Sequence, residues 1–187
     1  MEQLYLQIIN DYDWMRKLFI AGFFLLPFCT TAQTWKTYAN DANHFSASYP
    51  ADWTQKTKDD GLTFFTSPKE NAKDNYLENV NIISRENDLF DSLKIQDILP
   101  TVTADFSSVL NKATLESKKF FTWNGQDALE IIITGFPKKN SQQKVRIVQW
   151  FCFYKKRLYT ATFSRNAVTN SFADIGRKIM AGIVFKD

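Results

Sequence analysis

Glu86-Asn-Asp-Leu-Phe-Asp91 gathers three carboxylates, Glu86, Asp88 and Asp91, into one short polar run. Clustered carboxylate oxygens are the ligands that a hard cation such as calcium takes. The run lacks the mid-loop glycine and the terminal glutamate of a calcium loop, and acidic residues collect ahead of helices because the macrodipole favours them there. Capping and solvation is therefore the default reading. No metal site is assigned, and Glu86, Asp88 and Asp91 are the candidates should one exist.

Nucleophilic and acid–base chemistry has less to work with. His44 is the sole histidine, which excludes a multi-histidine metal site and weakens any histidine-dependent triad. Alternation puts it with Ser46 and Ser48 on the polar face of a strand. Of the two cysteines, Cys29 and Cys152, the second sits in Trp150-Phe-Cys-Phe-Tyr154 and reads as a small buried residue, not a reactive thiol. The six glycines form no phosphate loop, dinucleotide fingerprint or nucleophile elbow. No catalytic residue and no cofactor are assigned, and the chain is read as noncatalytic.

Binding chemistry has two sources. Aromatic residues make up 16% of the chain; on alternating strands they usually form core, but a groove beside Tyr49, Trp53 and Phe64 is the candidate ligand site. Basic residues cluster at Lys138, Lys139 and Lys144 and again at Lys155, Lys156 and Arg157. The strand between them, Val145 to Tyr154, spans about ten residues at about 3.3 Å each, which sets the clusters roughly 30 Å apart. One contiguous patch is excluded, and with a net charge of only +3 no nucleic-acid partner is expected.

The elements that position these residues follow from periodicity. In "HFSASYPADW" (44–53) Phe45, Ala47 and Tyr49 share one strand face, Pro50 ends the ladder, and Trp53 begins the next strand. Further strands are expected at 62–66, 78–84, 114–123, 128–136, 145–154, 158–164 and 183–185, with Asn124-Gly125 as a two-residue hairpin turn. Ile95, Ile98, Leu99, Val102, Phe106, Val109 and Leu110 form one helical stripe, with Pro100 either kinking that helix or marking its first turn. Val168, Phe172, Ile175 and Ile179 form a second stripe. Helices interrupting an antiparallel sheet at two places define an α+β domain.

The N-terminal part reads as a leader. Arg16 and Lys17 precede the apolar run Leu18 to Phe28, and Thr30-Thr31-Ala32 supplies a small-residue cleavage site. That run is shorter than the roughly 17–25 residues of a membrane span. Residues 1–14 carry Glu2, Asp11 and Asp13, unsuited to an export signal, and are read as a misannotated extension with Met15 as the start. Acylation at Cys29 is the rival outcome, disfavoured by the bulk of Phe28. The expectation is a signal peptide at 15–32, one domain at 33–187 with no transmembrane segment, and an extracytoplasmic, periplasmic or secreted location.

Five motifs in order, "FSASYPADW" (45–53), "ENVNI" (78–82), "WNGQDALEI" (123–131), "KKRLYTATFS" (155–164) and "GIVF" (182–185), resemble the PsbP/Mog1-like superfamily, which includes PsbP-like and DcrB-type exported bacterial proteins. The resemblance implies an α/β/α sandwich, a central antiparallel sheet flanked by helices. It also implies a family without established catalysis, whose photosystem members help to retain calcium and chloride. Calcium enters on that ground alone. The expected function is an exported noncatalytic accessory or binding protein with an envelope or other extracytoplasmic protein as partner; the alternatives are a small-ligand or ion carrier using the aromatic groove and, third, a hydrolase.

Overall fold

The computed structural model describes residues 33–104, 106–137 and 141–187. The expected extension, leader and cleavage site, with Lys138 and Lys139, lie outside the described residues. Ten strands follow in order: β1 (Trp35–Asn40), β2 (Phe45–Pro50), β3 (Thr54–Thr57), β4 (Thr63–Thr66), β5 (Asn79–Glu86), β6 (Asn111–Trp123), β7 (Gln126–Phe136), β8 (Val145–Tyr154), β9 (Arg157–Asn166) and β10 (Ile183–Phe185). Between β5 and β6 lie two 3₁₀ turns, at Asp88–Ser92 and Ile95–Ile98, and two short helices, α1 (Leu99–Ala104) and α2 (Phe106–Val109); α3 (Ala173–Ala181) precedes β10.

The strands form two sheets. Seven run in the order β3-β4-β5-β9-β8-β7-β6, and three in the order β1-β2-β10, with antiparallel pairing throughout. Alternation divides the large sheet into two apolar faces. Val80, Ile82, Ala128, Ile132, Val148, Trp150, Tyr159, Ala161 and Phe163 share one cluster with Phe45 and Ala47 of β2 and with Ile179 and Met180 of α3. Leu129, Ile131, Ile133, Val145, Ile147 and Phe151 face the other way, against Ile95 and Leu110. β7 is thus buried on both faces, which is why its sequence reads as a nearly unbroken apolar run.

The fold is a sheet-dominated α+β arrangement, in which the helical layers are smaller than the sandwich expectation. One face of the large sheet is covered by the small sheet together with α3, and the other by the broken segment between β5 and β6. The expected long helix is interrupted: Pro100 stands in the first turn of α1, where its missing N–H is harmless. Most of its apolar stripe still reaches the core, but Val109 is exposed. The second stripe loses Val168, which is almost wholly exposed, while Phe172, Ile175 and Ile179 pack as expected. His44 lies outside β2, in the preceding turn with φ 53°, and its carbonyl accepts from Tyr159 Oη at 3.0 Å and Lys186 N at 2.8 Å.

Two local contacts fix the C-terminal layer. Asn124 and Gly125 take φ of 52° and 76° in the hairpin turn, and Asn124 Nδ2 donates to the Ile183 carbonyl at 2.7 Å, tying that turn to β10. Gly176 lets α3 approach β9 so closely that a Cβ there would stand 2.4 Å from the Phe163 ring. Gly176→Ala must therefore lift the helix or tilt the ring. We expect a loss of about 1–3 kcal/mol in chemical denaturation, the range for overpacking a filled core; an unchanged midpoint would show that the helix seat is loose.

Candidate functional site

The acidic run and the second basic cluster, separate in sequence, meet at the β8–β9 turn. Lys155 and Lys156 occupy that turn with φ of 46° and 57°, a left-handed conformation that costs energy for any residue with a Cβ. The acidic side chains hold it. Lys156 N donates to Asp91 Oδ1 at 3.0 Å, Lys156 Nζ pairs with Asp88 at 2.9 Å, and Asn87 N donates to the Lys156 carbonyl at 2.9 Å. Arg157 pairs with Glu86. Asn87 caps the first 3₁₀ turn by accepting from Leu89 N. The carboxylates are taken up by the turn, and among the described residues no group of three or more His, Cys, Asp or Glu is arranged to hold a metal ion.

Tyr49, Trp53 and Phe64 do not come together as a groove. Trp53 precedes β3 and is buried in the main core, edge-on to Phe172 at 5.7 Å. Tyr49 packs on Phe65 at 4.9 Å. Phe64, one residue earlier on β4, points to the opposite face, where Lys58 Nζ lies 4.9 Å from its ring. Cys152 is fully buried, and burial, with the Asp127 charge, pushes its thiol up to about 12.

Two other carboxylates, Glu130 and Glu78, are each 2% exposed, although glutamate is almost never fully buried unpaired. Their surroundings differ. Glu130 lies on β7 in phase with Ala128 and Ile132, on the face that carries α3. Trp150 Nε1 donates to its Oε2 at 2.7 Å, Arg177 of α3 pairs with the same oxygen at 2.6 Å, and Lys119 of β6 reaches Oε1 at 3.2 Å. Burial pushes this carboxyl up, but the donors from Trp150, Arg177 and Lys119 outweigh it and leave Glu130 below its ordinary value.

Glu78 stands just before β5, in phase with Val80 and Ile82, at the floor of a cavity of about 590 Å³. Its oxygens accept two long hydrogen bonds, from Ser67 Oγ at 3.4 Å and from Asn166 N at 3.3 Å. Arg165, buried nearby on β9, donates instead to the carbonyls of Asn166 and Thr169. Among the described residues Glu78 makes no ion pair, and its carboxyl is held above the usual range, first by burial and then, against two backbone hydrogen bonds, by the Asp74 and Glu70 charges. Asp74 stays acidic because the N–H groups of Tyr76 and Glu70 bind its two oxygens. Asn75, Gln142 and Gln143 add side-chain amides to the lining.

This cavity, with the buried carboxylate of Glu78 in its lining, sits on a sheet-dominated α+β scaffold. The chain belongs to the PsbP-like protein family, which matches residues 29–178. No curated protein matches it. Among solved structures, the cyanobacterial PsbP (CyanoP) of Synechocystis sp. PCC 6803 aligns at TM-score 0.56 and 15% identity, covering 84% of this chain and 95% of that one. The Ran-binding protein Mog1p of Saccharomyces cerevisiae aligns at 0.53 and 9%, covering 83% and 97%, and LpqN of Mycobacterium tuberculosis, described as involved in cell envelope biogenesis, at 0.53 and 10%, covering 85% and 88%. A Bacteroides thetaiotaomicron structure gives 0.58 at 14% over 81% of this chain, which spans 48% of that longer protein. These likenesses establish the fold.

Sequence reasoning passed over both glutamates. The signal was present: each is a carboxylate in phase with the buried positions of its strand.

The two should respond oppositely to neutralisation. Glu130 has a folded-state pKa below its unfolded one, so its contribution to stability is present above the ordinary carboxylate range and is lost as pH falls through the depressed value. Glu130→Gln should cost about 1–2 kcal/mol at neutral pH, a charge-assisted hydrogen-bond value discounted because Arg177 and Lys119 are partly exposed and can rehydrate. Glu78 has the raised value, so its charge opposes folding at neutral pH. Glu78→Gln should raise the midpoint there, the gain vanishing as pH falls below the carboxylate range. Denaturation of both variants at pH 7 and pH 3 checks the signs; a destabilised Glu78→Gln at pH 7 would contradict the assignment.

Proposed function

We propose that this chain is an exported, noncatalytic accessory protein that holds an envelope or other extracytoplasmic partner through the cavity floored by Glu78. The observation that carries this reading is the Glu78 carboxylate, buried and, among the described residues, without an ion pair: such a charge is costly to stability, and such charges cluster at functional sites. The PsbP-like family membership supports the accessory role. Proteins of this fold are described as a Ran-binding protein and as involved in cell envelope biogenesis, which fits protein binding and an envelope setting. The leader read at residues 15–32 supplies the export route. Among the described residues no helix is long and apolar enough to cross a membrane.

The test is capture from the envelope. A photo-crosslinking residue at Asn75, which lines the cavity, should join the chain to one envelope protein, whereas the same residue at exposed Lys118 on β6, four strands from β5 in the large sheet, should not. Glu78→Gln should abolish the Asn75 adduct. Equal adducts from both positions, or an adduct indifferent to Glu78→Gln, would overturn the cavity as the working surface. Turnover of an ester, phosphate or glycoside by the purified chain, lost in Glu78→Gln, would replace this reading with a hydrolase.

A further inference from the structure

Glu78 is closed to direct contact in this structure. Its side chain is 2% exposed, and its oxygens are met by Ser67 Oγ, Asn166 N and its own backbone N–H. On the reading that its cavity is the binding site, the carboxylate must act through a neighbour, and the strand register supplies one. Asn79 of β5 faces Ser164 of β9, so Glu78 and Arg165 stand directly opposite, both buried and both in phase with the same apolar sheet face. Side chains so placed start about 4.5–5.5 Å apart at Cβ, yet these two form no ion pair. Arg165 Nη1 donates instead to the carbonyls of Asn166 and Thr169, two residues of the cavity lining. We propose that residues 166–169 are a strap on the cavity wall and that Arg165 is its latch, holding the strap shut as seen here and pairing with Glu78 when the strap lifts to admit a partner.

The charges around the pair favour the second state. Two carboxylates act on Arg165, Glu116 and Glu78; Glu116 is taken by Arg146 at 2.8 Å, which leaves Glu78. In the shut state Arg165 stands beside the like charges of Arg146 and Arg177, and Glu78 beside those of Asp74 and Glu70. An Arg165–Glu78 pair offsets both repulsions. The strap itself is held by hydrogen bonds rather than by the core. Asn166 N reaches Glu78 at 3.3 Å, Ala167 N donates to the Lys144 carbonyl at 3.0 Å, and Val168 N donates to Asn166 Oδ1 at 2.9 Å. Its large apolar side chain, Val168, is 87% exposed, and no residue of the strap belongs to either core cluster. Segments with so few buried apolar contacts open at low free energy. A partner shifts such an equilibrium through contacts it makes better in one state, and the wall that carries Asn166 and Thr169 supplies them when it moves.

Native-state hydrogen exchange of the full chain reads the strap at the Ala167 amide, whose bond to Lys144 breaks as the strap lifts; the Ala161 amide in buried β9 is the reference for global opening. Glu78→Gln removes the group to which the latch turns, so Ala167 should exchange more slowly by about tenfold. Arg165→Met unties the strap and should speed exchange by about tenfold. The double variant should match Arg165→Met, because Glu78 acts only through Arg165. Exchange at Ala167 that is unchanged or faster in Glu78→Gln, a slowing that merely follows Ala161, or additive effects in the double variant would each overturn the proposal. Should Arg165→Met alone fail to fold, the double variant, which keeps neither charge, takes its place in the comparison with Glu78→Gln. The Asn75 crosslink separates the latch from the partner reading. Adding Arg165→Met should restore the adduct that Glu78→Gln loses. An adduct lost in Glu78→Gln and still lost in the double variant leaves the cavity as the partner site and overturns the latch; exchange as expected with no adduct from any variant supports the latch and overturns the partner site.

Discussion

Glu130 is a carboxylate in the middle of a strand whose two faces are both buried, and the main face of the sheet is assembled around its neutralisation. Its three donors come from three elements: Trp150 from β8, Lys119 from β6 and Arg177 from α3. Breaking such a pair by removing one partner leaves an uncompensated buried charge, which costs far more than the pair contributes. The position of α3 is therefore set from two sides, by Arg177 reaching Glu130 and by Gly176 pressing on Phe163. Trp150, held by its indole N–H, in turn presents its ring to Phe121 and Trp123, and Trp123 meets Phe185 of β10.

Set beside Glu130, Glu78 shows what compensation means. The two are equally buried, yet one receives three donors, two of them cationic, and the other only neutral ones. Arg165 lies close enough to Glu78 for their charges to interact, but its donors go to backbone carbonyls. Nothing in packing requires a glutamate at that place, where an uncharged isostere would satisfy Ser67 and Asn166. A buried charge that opposes folding, in the lining of a cavity, is the feature on which the proposed binding role rests. The carboxylates at Glu86, Asp88 and Asp91 have the opposite character, because their exposed charges offset the conformational cost of two lysines in a left-handed turn.

The strands were legible because alternation is a local signal: β2, β8 and β10 fall where the side-chain period puts them, and Asn124-Gly125 turns as its conformational freedom requires. The helical segment before β6 was legible in its stripe but not in its breaks, since Ile95 and Leu110 reach the sheet through 3₁₀ turns and short helices that tertiary packing selects. The pairing of Asp88 and Asp91 with Lys156 joins residues more than sixty apart, which no spacing rule anticipates. Phe64 and Phe65 illustrate a one-residue limit: adjacent aromatics on a strand face opposite ways, and which of them meets Tyr49 depends on a sheet contact invisible in sequence. The glutamates were readable in principle, as charges in phase with Val80 and Ile82 or with Ala128 and Ile132. What sequence cannot supply is whether a donor arrives from elsewhere, and that alone separates the structural carboxylate from the one at the site.

The account rests on that separation, and carboxyl carbon-13 NMR titration of the glutamate side chains measures it directly. It predicts that Glu130 titrates below the ordinary glutamate range and Glu78 above it in the same folded sample. A Glu78 resonance that titrates at or below the range of exposed glutamates would contradict the account, because the cavity floor would then hold a compensated charge like that of Glu130.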